Sequence, residues 1–480
     1  KRINEVSYEQ VVEESAYTWF NRIIAIRYME IHDYLPLTKD NRSIGIRVLS
    51  SKDNTPDPEI LKFSILNNNE LDINFNLEKY NSLTEENRYT YILSLICKKL
   101  GKVIPQVFDG ITDYIDILIP DNLLSDSGFI TKLIKEVPEE NFNNVEVIGW
   151  LYQYYNQTEK DRVISAKKAY KKNEIPYATQ LFTPDWIVKY MVENSLGRYY
   201  VEHNNGKDII NHWKYFINDN LTINNNRIDP KQITFIDPCC GSGHILVYAF
   251  EVLYQIYLNS GYNKNDIPEL ILTNNLYGLD IDDRAGQLAI LSVLLKAREY
   301  DKSIFNKEIV RNLNIMSIQE SNTIDKSSLY FLNNEELKDK LTYIINTFEN
   351  AKEIGSLLLV DAYDYLSLIN KIREDNNLFN SSMVDKLESL LKVAYILQKK
   401  YDVVVTNPPY MSQSYMPTHL KSYLNKFYLI SKNDLCTAFM NSSLVTKLGY
   451  LGMITQQSWM FLSSFENLRK NIIENKNIVC

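Results

Sequence analysis

The sequence predicts an α/β chain, with a parallel sheet that carries a ligand site following a mainly helical amino-terminal region. Three observations predict it. Tyr401-Asp402-Val403-Val404-Val405-Thr406 is rich in β-branched residues and reads as a buried parallel strand. Asn407-Pro408-Pro409-Tyr410 follows at once, fixing a rigid loop at the strand's carboxyl end, where open α/β sheets place their ligands. Upstream, Phe235-Ile236-Asp237-Pro238-Cys239-Cys240-Gly241-Ser242-Gly243 is a short apolar strand running into a tight glycine loop.

The loop after Thr406 suits group transfer to a planar amino nitrogen. An exocyclic amine conjugated to a ring is a poor nucleophile. The Asn407 amide oxygen and the Pro408 carbonyl can each accept a hydrogen bond from it, aiming its lone pair at an electrophilic methyl. Tyr410 offers a stacking face for a base. An isolated Asn-Pro-Pro is more often an ordinary proline-rich loop; three further motifs in order overturn that reading here.

The first is the glycine loop. Residues His244 to Leu258 follow it as a helix with Ile245, Leu246, Ala249, Val252, Leu253 and Ile256 on one side. Glycines let backbone approach a ligand, and a helix amino end favours a carboxylate or phosphate. The third glycine of GxGxxG is missing and no Gly-Lys-Ser/Thr follows, which argues against dinucleotide and nucleoside triphosphate sites. The second motif, Leu276-Tyr277-Gly278-Leu279-Asp280-Ile281-Asp282, is a strand ending in acid able to accept both hydroxyls of a ribose. Its distance from the glycine loop exceeds the roughly 20 residues of compact dinucleotide-binding units. Residues Asn259 to Asn275 therefore read as an inserted loop. The third, Gln180-Leu181-Phe182-Thr183-Pro184-Asp185-Trp186, opens a helix with Thr183 as N-cap and Pro184 in its first turn. Capping accounts for Thr-Pro-Asp but not for Phe182.

In this order the motifs resemble the class I S-adenosylmethionine-dependent methyltransferases, in the amino-methylating DNA subgroup. The likeness runs from Ala178 to Cys480 and takes in Asp434 to Phe439, the strand Gly449 to Thr455, Trp459, and Phe465-Glu466-Asn467-Leu468-Arg469. The resemblance implies a Rossmann-like class I methyltransferase sheet with S-adenosyl-L-methionine as cofactor. Phe182, Thr183 and Pro184 would contact its methionine part, Asp237 and the loop Cys239 to Gly243, with Gly241, would cradle the amino acid moiety, Asp280 would hold the ribose, and Ile281 would pack on the adenine. Asn407, Pro408 and Tyr410, with Pro409 completing the motif, would take a flipped target adenine. The third strand is expected at Asn312 to Ile318, with Glu320 or Ser321 near the cofactor adenine.

The amino-terminal half sharpens the likeness. The helical pattern Glu13 to Glu30 and the aromatic-rich run Val147 to Tyr155 resemble the PglX-type adenine methyltransferases of BREX phage-defence systems, as does the run from Ala178 to Arg198. Helical core is also the ordinary physical role of such aromatic runs. The expected activity is a site-specific, adenine-specific DNA methyltransferase acting on double-stranded DNA, with other BREX proteins as partners.

Composition sets the remaining bounds. A chain of 480 residues leads us to expect two domains or more, and 45% hydrophobic residues suffice for sizeable cores. No apolar run reaches a membrane span and no signal peptide is visible. Five cysteines without a CxxC pair and five histidines without ligand spacing point to a reduced cytoplasm and to no metal site. Net charge is −8, so DNA contact needs local positive charge. The one basic cluster is Lys160, Arg162, Lys167, Lys168, Lys171 and Lys172, which reads more readily as a solvated helix face than as a backbone contact.

The expected organisation is a helical domain over residues 1–175, with loops at Ser50 to Pro58 and Asn67 to Asn76, and a methyltransferase core over 176–480. A charged, Asn-rich helical insertion at about 322–400 separates the third and fourth strands and suggests a lid or docking surface. The start at Lys1 without methionine suggests a fragment, and Asn477-Ile478-Val479-Cys480 reads as the opening of a sixth strand. The last two strands of a truncated sheet and a target-recognition domain are then expected beyond residue 480. Three rivals remain. A bifunctional restriction-modification enzyme needs a nuclease, whose only match, Asp325 with Glu336-Leu337-Lys338, falls in the helical insertion. A protein or RNA methyltransferase shares Asn-Pro-Pro-Tyr but not the upstream cofactor helix. A DNA-sensing scaffold of a defence complex does not need the intact Asn407 and glycine loop.

Overall fold

The computed structural model describes residues 8–53, 55–108, 118–119, 122–224, 226–331, 334–374 and 381–480. Lys1, Asn54 of the Ser50–Pro58 loop, and residues 332–333 and 375–380 of the expected insertion lie outside them. The chain divides into two compact units: 1–151 with 264–269 and 290–313, and 152–263 with 270–289 and 314–480.

The first unit is helical, and its described residues contain no strand. Its longest helix, Tyr8–Ile31, buries Trp19, Ile23, Ile26 and Met29. The helix Glu85–Val103 buries Ile92, Leu93, Ile96 and Leu100, the i, i+4 spacing of one apolar face. Arg27 and Glu30 form a buried ion pair at 2.6 Å. Glu30 Oε2 also accepts the Val48 and Leu49 amides at 2.7 and 2.8 Å, so its charge is both paired and hydrogen-bonded.

The boundary expected near residue 175 falls instead at Leu151, within the helix Glu146–Tyr155. Residues from Tyr152 onward are tied to the second unit. Tyr152 is buried and its hydroxyl donates to Asp282 Oδ2 at 2.8 Å, and Lys160 Nζ donates to the Gln180 carbonyl at 2.7 Å.

The second unit is built on a wholly parallel sheet: β1 Phe235–Asp237, β2 Leu276–Asp280, β3 Ile315–Ser317, β4 Tyr401–Thr406 and β5 Val445–Met453. Their order is β3-β2-β1-β4-β5. β1 is fully buried and β4 nearly so, as their apolar runs require. The connections reverse direction between β1 and β4, which makes that junction a topological switch point, and a crevice opens at the carboxyl ends flanking it. β5 starts earlier than the expected Gly449: Tyr401 pairs with Val445 but Val403 with Tyr450, an irregularity that accommodates extra residues. Gly449 sits there because a Cβ would meet the Asp402 carbonyl oxygen at 2.5 Å.

Helix His244–Asn259 follows β1 and buries all six apolar residues expected of it. The supposed loop Asn259 to Asn275 contains instead the helix Ile267–Asn274, because Ile267 and Ile271 repeat at helical spacing and are both buried. The segment between β3 and β4 forms the helices Glu335–Thr347, Tyr365–Glu374 and Ser381–Gln398. Expected as a lid or docking surface, it is a packed layer. Leu341, Ile344, Leu368, Leu387 and Leu391 share one apolar cluster with Ile236, Leu279 and Val404 of the sheet. Asn477 to Cys480 joins no strand, since no ladder pairs it. Among the described residues no helix is long and apolar enough to cross a membrane.

Candidate active site

A cavity lies at the carboxyl ends of the strands, enclosing about 720 Å³ of non-atom space that includes open solvent. Cys239, Gly241, Asp280, Ile281, Asn407 and Pro409 all line it, so β1, β2 and β4 deliver residues distant in sequence to one place. Asp237, Gly243, Phe182, Thr183, Pro184, Pro408 and Tyr410 do not line it.

Several of those outside the lining make contacts close behind it. Asp237 is buried behind the glycine loop, and its Oδ1 accepts the Cys239 amide at 3.0 Å. Burial pushes its carboxyl up to about 7, against the pull of the Cys239 amide. Gly243 adopts φ +88 and approaches Ala289 so closely that a Cβ would meet its Cα at 2.9 Å. Phe182 stacks on His244 with centroids 4.6 Å apart. Pro184, not Thr183, is the N-cap of the helix Asp185–Val192, and no side chain caps it. The Thr183 hydroxyl is used elsewhere, accepting a hydrogen bond from Asn407 Nδ2 at 3.1 Å.

Asp280 ends β2 with its carboxylate facing the loop. Oδ2 accepts the Gly241 amide at 2.8 Å and Oδ1 accepts the Asp282 amide at 2.9 Å. Each oxygen keeps a further lone pair. Burial raises this carboxyl to about 6, although backbone amides hold it down. Gly241 adopts φ +52, and where its Cβ would stand nothing lies within 4 Å. The loop surface is therefore open to a ligand, the carboxylate can accept hydroxyl donors, and Ile281, Leu435 and Phe439 supply apolar wall for a ring. These groups suit S-adenosyl-L-methionine.

At the end of β4, Tyr410 donates its hydroxyl to Asn407 Oδ1 at 2.8 Å. The Tyr410 ring packs against the cluster of Cys436, Met440, Phe465 and Leu468, and burial raises its phenol far above the usual range.

Sequence reasoning missed a strap, residues 352–356, that lines the cavity beside Ile281. Gly355 adopts φ +66, and a Cβ there would meet Ile281 Cγ2 at 3.0 Å. Ser356 Oγ donates to the Pro238 carbonyl at 2.5 Å, and Lys352 Nζ to Asp283 at 2.7 Å. Glu320 and Ser321, expected near the cofactor adenine, are outside the lining. Glu320 is occupied by Lys172 Nζ at 2.5 Å and by the Lys352 amide at 3.0 Å. Ser321 is buried and donates to the Ile345 carbonyl. Tyr152 and Asp282 also line the cavity. Burial raises the Asp282 carboxyl, but the adjacent Arg284, bonded at 2.9 Å, outweighs it and the net shift is downward. The nuclease-like match is a helix face: Glu336 is exposed and pairs with Lys340 on Glu335–Thr347.

A parallel sheet of this order, with a glycine loop after β1, an acid closing β2 and Asn-Pro-Pro-Tyr after β4, defines a methyltransferase core. The Eco57I restriction-modification methylase profile matches residues 274–479. Adenine-specific methyltransferase BrxX of Escherichia coli O9:H4 (strain HS) is 35% identical over 529 residues, covering 100% of this chain and 43% of that protein. Adenine-specific methyltransferase PglX of Lacticaseibacillus casei (strain Zhang) is 36% identical over 512 residues, covering 96% of this chain and 41% of that protein. The type II restriction enzyme and methyltransferase RM.Eco57I of Escherichia coli is 23% identical over 389 residues, covering 74% and 32%. The chain belongs to the PglX-type adenine-specific methyltransferase family. It spans about two fifths of the length of the first two of these relatives.

Proposed function

We propose that this chain carries the cofactor-binding and catalytic part of a site-specific DNA adenine N6-methyltransferase serving a BREX phage-defence system in the bacterial cytoplasm. The observation that carries the reading is the meeting of Asn407 with Asp280 and Gly241 in one cavity. Asp280 would accept the ribose hydroxyls, and the Cys239–Gly243 loop would take the amino acid moiety. Ile281 would pack on the cofactor adenine. S-adenosyl-L-methionine, when bound, supplies an electrophilic methyl. Asn407 Oδ1 keeps one lone pair after accepting from Tyr410, and with the Pro408 carbonyl it would hold the amine of an extruded adenine. Phe182, Thr183 and Pro184 would act behind the methionine part, Thr183 by fixing the Asn407 amide. Pro409 lines the cavity and closes the motif.

The test is single-turnover methyl transfer to duplex DNA by the full-length protein, with nucleosides identified by mass spectrometry. N6-methyladenine should form and should disappear in Asn407→Ala. Methylation at the wild-type rate by that variant would end this reading; N4-methylcytosine as product would keep the mechanism and change the base.

A further inference from the structure

We propose that Lys167, Lys168 and Lys171 form the phosphate-contacting surface for the DNA strand that delivers its base to Asn407. This rests on the function proposed above. The structure sorts the basic residues between 160 and 172 into two kinds. Lys160 Nζ donates to the Gln180 carbonyl at 2.7 Å, Arg162 pairs with Glu159 at 2.8 Å, and Lys172 pairs with Glu320 at 2.5 Å. Those three cations serve internal partners. Lys167, Lys168 and Lys171 are exposed, and among the described residues no ion pair holds them.

The segment bearing them is fastened to the loop after Asn-Pro-Pro-Tyr. The Tyr170 amide donates to the Tyr415 carbonyl at 2.9 Å. Their rings stack with centroids 5.4 Å apart at 20°. The loop is itself held, with the Gln413 amide on the Asn433 carbonyl at 3.0 Å and the Leu435 amide on the Met411 carbonyl at 2.9 Å. The uncompensated cations therefore ride on a segment braced to the loop that follows Asn407. A base extruded to Asn407 stays joined to its own phosphates, which must leave alongside this loop. In a chain of net charge −8, such a local concentration of free ammonium groups is what a polyanion requires. The competing account is that lysines just past the helix Gln157–Ser165 merely favour its carbonyl end. That account predicts lost stability, not lost DNA affinity.

The experiment uses the full-length protein carrying K167A/K168A/K171A, with binding to duplex DNA measured across a range of KCl. The slope of log affinity against log salt should fall by about 2 to 3, with affinity at low salt down by at least about tenfold. KM for DNA should rise while kcat at saturating DNA and cofactor affinity hold. The triple arginine variant should restore binding. K231A/K264A/K386A removes three exposed lysines elsewhere, controls for net charge and should leave the slope unchanged. An unchanged slope in the first variant, or equal losses in both alanine variants, overturns the proposal. A wild-type protein that binds DNA but yields no methylated base would instead overturn the reading of the active site.

Discussion

The hydroxyl of Tyr410 donates to Asn407 Oδ1 at 2.8 Å while Asn407 Nδ2 donates to Thr183 Oγ1 at 3.1 Å. The amide is pinned from both ends, and its plane is set before a base arrives. Such preorganisation places acceptors where charge develops, without reorganisation at the moment of transfer. Each partner of the amide should then leave a different kinetic trace.

Asn407→Ala should collapse kcat while leaving cofactor affinity intact, because its contact with the amine strengthens only as the methyl transfers. Tyr410→Phe keeps the ring and loses one hydrogen bond, so kcat should fall by no more than about tenfold, about 1.4 kcal/mol. Under the proposed base stacking, Tyr410→Ala should lose about 1–3 kcal/mol more. Single-turnover rates with calorimetric cofactor binding check the set. Equal losses for the Phe and Ala variants would remove stacking from the account.

Thr183→Val should lower kcat by roughly fivefold, about 1 kcal/mol, by freeing one end of the amide. Thr183→Ser should restore it. Stability should barely change, since Thr183 caps no helix. Thermal melting alongside the rates separates this from a capping role, in which Thr183→Val would lose stability first.

Cofactor affinity should depend on pH through Asp280. Burial raises its carboxyl to about 6. Hydroxyl donors favour the carboxylate, so binding draws the proton off. Affinity should be full above about pH 7 and fall as pH drops through 6, by up to tenfold per unit. Asp280→Asn should be weaker by roughly 1.5–3 kcal/mol and largely lose this dependence. Burial also raises Asp237, to about 7, so a shallower residual slope is expected in Asp280→Asn. Calorimetry between about pH 5 and 8 decides; a wild-type slope retained in full by the Asn variant would clear Asp280 of the effect.

Gly355→Ala should weaken the cavity wall. Its backbone, φ +66 and ψ −145, is one that side chains rarely adopt, and the added methyl meets Ile281. The cost should be roughly 1–3 kcal/mol in unfolding free energy, accompanied by weaker cofactor binding. Urea denaturation and calorimetry test it together. Full stability in the Ala variant would mean that the strap is free to move aside.

The motifs that punctuate strand ends were legible because each combines a short apolar run with residues that stop it: Asp280 after β2, Asn407 after β4. β3 fell within the expected span for the same reason. Thr183 reads as an N-cap in the sequence because capping and site positioning use the same hydroxyl, and its partner Asn407 lies 224 residues away, beyond any local pattern. The helix Ile267–Asn274 resembles loop in the sequence because its eight residues span little more than two turns of periodicity. The strap carried no signal beyond Gly355-Ser356 in an apolar stretch; only the fold shows that Ser356 reaches Pro238.

That last contact also fixes when the cavity can exist. Ser356 meets Pro238 across 118 positions of chain, and Asn407 meets Thr183 across 224. A growing polypeptide that has already folded β1 and β2 presents the glycine loop and Asp280 without their opposite wall. It gains that wall only after the strap and β4 have been synthesised and have docked. Cofactor capture is thus a report on late, long-range closure, so a ribosome-stalled or proteolytically shortened chain ending before Asn407 lacks a pocket even where its first strands are native.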